Sequence, residues 1–148
     1  MWKKIKRILL IFFFSHFIYI IICRFISPPI TLTQLGNWIQ GYGLARDYIS
    51  YEEMGSNIKL AVMSGEDQLF PDHNGFDIKS IKKALKYNKK HPNKVRGAST
   101  ISQQTAKNVF LWQGGGFFRK GLEVYFTFMI EHVWNKKRIL EKIGRAHV

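Results

Sequence analysis

Cysteine is nearly absent. Cys23 is the only one in 148 residues, so the chain can form no internal disulfide and no thiolate metal cluster. His, Asp and Glu nowhere fall at metal-ligand spacing, so no metal site can be assigned from the sequence. Acidic residues are also scarce, 10 against 23 Lys and Arg, for a formal net charge of +13. That balance calls for an anionic partner, and charge alone does not separate nucleic acid from anionic lipid. There are four prolines, no internal repeat and no useful run of strand-like alternation, which leaves helices as the expected elements. Apolar residues are abundant at 46%, which excludes a disordered chain and allows one packed domain.

The N-terminus holds the longest apolar run. Lys3, Lys4, Lys6 and Arg7 precede an almost unbroken stretch from Ile8 to Cys23, extended by Phe25 and Ile26. Nineteen helical residues rise roughly 28 Å, about the thickness of a hydrocarbon core. Residues 1–7 therefore read as a basic cytoplasmic tail and 8–26 as a single-pass anchor, with the rest of the chain on the far side. Arg24 can snorkel to the interface. A cleaved signal peptide is the competing reading, but Phe25-Ile26-Ser27-Pro28-Pro29 offers no small-x-small site. This placement removes nucleic acid as a partner. Five basic residues lie in the tail and anchor, leaving 18 against 10 acidic residues and a balance of +8 outside. Such a surface suits anionic headgroups or a phosphorylated substrate, although a merely solvated basic face would look the same.

Pro28-Pro29 ends the anchor, residues 27–50 read as a connector, and 51–142 as the domain. Four helices are expected there. The first runs from Ser56, as N-cap, to about Ser64, with Ile58, Ala61 and Val62 on one face. The second covers about Asp77 to Asn88, with Ile78, Ile81 and Leu85 opposite Lys79, Lys82, Lys83 and Lys86. The third starts at Ser99 or Thr100, where Thr100-x-x-Gln103 has capping-box form, and continues to Phe110. The fourth begins near Arg119 and carries Leu122, Phe126, Met129, Ile130 and Val133 at helical spacing.

Three polar clusters could carry chemistry: Glu66-Asp67 with Phe70 and His73, the stretch Arg96 to Asn108, and Arg119-Lys120 with Glu123. A helix start can hold an anion, and Glu66 and Glu123 on separate helices could converge on one glycosidic centre. Each signal alone has a plainer reading. An Asp/Glu pair at a helix end is usually a solvated surface feature, and a Ser/Thr/Gln-rich helix start is usually a cap.

Order and spelling together say more. EDQLFPDHNGFD, RGASTISQQTAKNVFL, RKGLE and NKKRILE occur in this order and resemble the motifs of the peptidoglycan glycosyltransferase family, above all its monofunctional transglycosylases. Ala98 replaces a second glycine common in that family. The resemblance implies a mainly α, lysozyme-like domain behind one transmembrane helix. It further implies polymerisation of lipid II: the acceptor 4-hydroxyl attacks the donor C1, and undecaprenyl pyrophosphate leaves with inversion. By motif position Glu66 would be the general base and Glu123 a second required carboxylate. Asp67, Phe70, His73, Thr100, Gln103, Gln104, Lys107, Arg119, Lys120 and, more weakly, Lys136 would bind or position substrate. No cofactor is obligatory, while Mg2+ or Mn2+ is compatible with the pyrophosphate. Expected partners are lipid II, the growing glycan, the bacterial cytoplasmic membrane and other wall-building proteins.

The family continues past KKRILE into further helices, whereas residues 143–148, Ile-Gly-Arg-Ala-His-Val, match one frame of a common sequencing-adaptor oligonucleotide. They read as a non-native tail on an incomplete domain, so Arg145 and His147 receive no role. Two alternatives stand beside the polymerase: a lytic hydrolase of the same fold, and a non-catalytic membrane-anchored scaffold.

Overall fold

The computed structural model describes residues 1–44 and 49–143. Every regular element among them is a helix: α1 Trp2–Phe25, α2 Leu32–Ile39, α3 Ser56–Glu66, α4 Ile78–Lys90, α5 Ile101–Phe110, α6 Phe117–Val133 and α7 Lys136–Ile143. This is the mainly α architecture expected, with one long apolar N-terminal helix, and it is consistent with a lysozyme-like domain. Only 11% of the apolar window of α1 is buried, so α1 is not the core helix of a globular domain. It is long and apolar enough to cross a membrane.

α5 is the centre of the domain. It packs against α6, α7 and α2, and eight of its residues are buried, from Ile101 to Phe110. Around it gather Phe70, Ile130, Trp134, Ile139, Leu140 and Ile143. Phe110 stacks on Phe126 at 4.9 Å and meets Trp134 at 5.8 Å. The fourth expected helix is α6, and its predicted apolar stripe does pack: Ile130 is fully buried, and Leu122, Phe126, Met129 and Val133 lie against the core.

Several expectations need correction. Ser56 is the first residue of α3 rather than its cap; Gly55 holds the cap position and offers no side chain. The stripes expected on α3 and α4 are largely open, with Ile58 at 52%, Ile78 at 55% and Leu85 at 65% exposure, because neither helix lies across α5. The connector of residues 27–50 contains α2, closed by a Thr31–Gln34 capping box of the same form as the one on α5. The NKKRILE motif forms α7. Residues 45–48 of the connector, and residues 144–148 of the expected tail, lie outside the described residues.

Candidate active site

Glu66 is the last residue of α3, at the point where the chain leaves the helix toward the first motif loop. Its side chain is exposed, and one carboxylate oxygen accepts a 2.7 Å hydrogen bond from Gln104 Nε2 on α5. A cavity of about 640 Å³ opens beside it, walled by residues 64–69, by Asp77, Ser80 and Lys83 of α4, by the turn 97–100 and by Gln104. A free carboxylate oxygen on the wall of an open cleft can take a proton from a bound hydroxyl.

The neighbour of Glu66 is placed quite differently. Asp67 is 8% exposed, and its oxygens accept from His73 Nε2 at 2.9 and 3.0 Å and from the Ile101 backbone N–H at 3.0 Å. Ile101 is the first residue of α5, so the carboxylate sits at the positive end of that helix. His73 Nδ1 accepts from the Gly75 N–H at 3.1 Å, which fixes Nε2 as the donor to Asp67. Thr100 Oγ1 donates to Gly75 O at 2.6 Å and also caps α5, while Gln103 completes the capping box. Gly75 itself needs φ +88°, and a Cβ there would come within 2.9 Å of Thr127 and Glu131 side-chain atoms.

Lys136 braces the same loop from α7. Its Nζ donates to His73 O at 2.6 Å and Glu131 at 2.8 Å, and lies 4.5 Å from the Phe70 ring centre. Phe70 is 2% exposed and belongs to the core. The structure thus commits the side chains of Phe70, His73, Gln103 and Lys136 to internal contacts, and none of the four lines the cavity. Asp67 and Thr100 border it, but their polar groups are turned to the loop and to α5.

The third cluster sits on α6. Glu123 is 3% exposed and pairs with Arg119 at 2.8 Å and with Lys120, one turn earlier on its own helix. It does not line the cavity beside Glu66. Both Glu123 oxygens serve cations, whereas Glu66 accepts only from an amide, so the two carboxylates stand in different surroundings. Arg119 Nε is buried and has no hydrogen-bond partner among the described residues, an open donor next to an occupied Nη1. Gly115, at φ +88°, lets the preceding loop close to within 3.1–3.2 Å of the Arg119 stem at its Cβ position. Lys107 is half-buried on α5, three residues past Gln104, with no ion-pair partner among the described residues.

Sequence reasoning missed the α4 wall. Lys83 was placed on a polar face opposite the apolar stripe, yet with Asp77 and Ser80 it lines the cleft at i, i+3, i+6 spacing. That spacing was readable as a polar stripe in its own right. Asp77 also caps α4, and hydrogen bonds from Ser80, side chain first and then backbone, hold its carboxyl below the usual value. A second omission is the half-buried Glu131, bonded to Ser102 and Lys136, which gave no signal in the sequence.

No group of three His, Cys, Asp or Glu among the described residues could hold a metal ion.

An exposed glutamate beside a cleft, a capped Gln-rich helix and an Arg-Lys-Glu cluster thus follow one another along this helical domain. The family pattern described as Transglycosylase matches residues 33–143, and the chain belongs to that family. Among its relatives is the biosynthetic peptidoglycan transglycosylase of Haemophilus influenzae, 48% identical over 95% of this chain and 62% of that protein. The protein of the same description from Pseudomonas aeruginosa is 42% identical over 95% and 63%, and that from Bdellovibrio bacteriovorus 44% over 94% and 58%. The chain thus spans about three-fifths of the length of these curated relatives.

Proposed function

We propose that this chain carries the chemistry of a peptidoglycan glycosyltransferase, joining lipid II units into glycan. Family membership and the relatives' descriptions support the reaction class, and the exposed Glu66 at the cleft, with one oxygen held by Gln104, carries the assignment of the base. The acceptor 4-hydroxyl gives its proton to Glu66 as its oxygen bonds to the donor C1. The C1–O bond to pyrophosphate breaks at the same time, and its electron pair leaves on the phosphate oxygen, with inversion at C1. No acid is needed at a leaving group that is already a stable anion.

The basic residues answer that anion. Arg119, Lys120 and Lys107 receive pyrophosphate charge; among the described residues Arg119 Nε has no hydrogen-bond partner and Lys107 no ion-pair partner. Glu123 fixes Arg119 and Lys120 on one face and acts through them, a positioning role. A divalent cation bound with the pyrophosphate would supply further positive charge at the leaving group. α1 crosses the cytoplasmic membrane with its basic end inside and the domain outside, so that enzyme and polyprenyl-linked substrate share one surface.

Glu66→Gln tests the assignment. General-base loss lowers rates by about 10²–10⁴-fold, so glycan formation from lipid II in vesicles should fall at least about 100-fold with the helical spectrum unchanged. Unimpaired polymerisation by this variant would remove Glu66 from the mechanism.

A further inference from the structure

α1 is tied to the domain by polar contacts that have no part in the cleft. His16 Nδ1–H donates to Phe12 O at 3.1 Å, so Nε2 is the acceptor of the Tyr125 O–H at 2.5 Å. One turn on, Ile20 O accepts from Trp134 Nε1–H at 2.9 Å. At the helix end Cys23 O accepts from Arg138 Nε at 3.1 Å and Nη2 at 2.8 Å. Cys23 O is among the last four carbonyls of α1, which lack partners inside the helix, so the guanidinium acts as an external cap.

Positions 16, 20 and 23 fall at i, i+4, i+7, a single helix face. On that face Ile20 and Cys23 are 0% and 1% exposed, whereas Ile22 and Phe25 on other faces are 45% and 72% exposed. A flexible tether needs no such specialised face.

We propose that α1 is a docked strut, and that Tyr125, Trp134 and Arg138 clasp it to set the height and tilt of the cleft over the membrane. The proposal rests on the membrane crossing of α1 suggested above.

The single thiol gives a direct readout. The full chain in phospholipid vesicles is labelled with a membrane-permeant maleimide, and Phe25→Cys in a Cys23→Ser background serves as the exposed reference two residues away. Docking predicts that Cys23 reacts at least about tenfold more slowly than the reference. The combined Tyr125→Phe, Trp134→Phe, Arg138→Met variant, checked for unchanged helicity, should bring Cys23 to within about threefold of it. Equal labelling in the unmodified clasp, or no acceleration in a folded triple variant, overturns the proposal. Labelling does not depend on catalysis, so absence of lipid II polymerisation would count against the proposed function and leave the docking result standing.

Discussion

Asp67→Asn removes a charge while keeping the shape of the side chain. The carboxylate is 8% exposed and accepts from His73 and from the first N–H of α5. Hydrogen bonds to a charged group contribute about 1.5–3 kcal/mol each. A carboxylate at a helix N-terminus adds about 0.3–1 kcal/mol. The amide keeps one acceptor oxygen but turns an NH2 toward donors, so roughly 2–3 kcal/mol should be lost. For a domain of this size that is a fall in Tm of about 10 °C. Thermal unfolding followed by far-UV circular dichroism in detergent measures it, with lipid II polymerisation assayed well below the lowered Tm. Activity there should stay within a few-fold of the parent, since the role assigned is to bolt the first motif loop onto α5. An Asn variant of unchanged Tm that has lost polymerisation would refute that reasoning and return Asp67 to the substrate.

Gly75→Ala combines a left-handed backbone with a 2.9 Å clash against Thr127 and Glu131, so a loss of about 2–4 kcal/mol is expected in denaturant titration. Arg119→Lys keeps the charge but replaces the planar fork by one nitrogen, which cannot occupy both the Nη1 position on Glu123 and the Nε position; kcat/KM on lipid II should drop about tenfold with Tm nearly unchanged. Burial of Glu141 alone would raise its carboxyl, but the hydrogen bond and charge of Lys142, helped by Arg138, outweigh it and hold it below the usual value. A depressed folded value means stability present above the unfolded value, about 4.3, and lost as pH falls through the folded one. Denaturant titrations at pH 5 and pH 3 should show the loss, and Glu141→Gln should flatten it.

Elements whose signals are local were readable. Thr100 and Gln103 announced the start of α5 because a capping box needs only four consecutive residues. The stripe on α6 was legible because Ile130 and its neighbours face one core. α2 carries an equally local Thr31–Gln34 box, and it was overlooked in a segment read as linker. The internal bonds of Asp67, His73 and Lys136 were not legible, for another reason. Their partners, Ile101, Gly75 and Glu131, are supplied by distant segments, and nothing in the spelling of a motif says whether its side chains face substrate or each other.

By itself the sequence determined the class of molecule: one apolar helix, a basic helical domain and an ordered set of motifs around Glu66. Composition, periodicity and spelling suffice for that, because each is a property of residues near one another in the chain. Only the tertiary structure decided which polar residues remain free to act. Packing α5 between α6, α7 and the first motif loop uses up Asp67, His73, Thr100 and Gln103 in mutual hydrogen bonds, since buried polar groups must be satisfied. It leaves Glu66 and Lys107 without an ion-pair partner among the described residues, leaves Arg119 Nε an open donor, and turns one face of α1 into part of the domain.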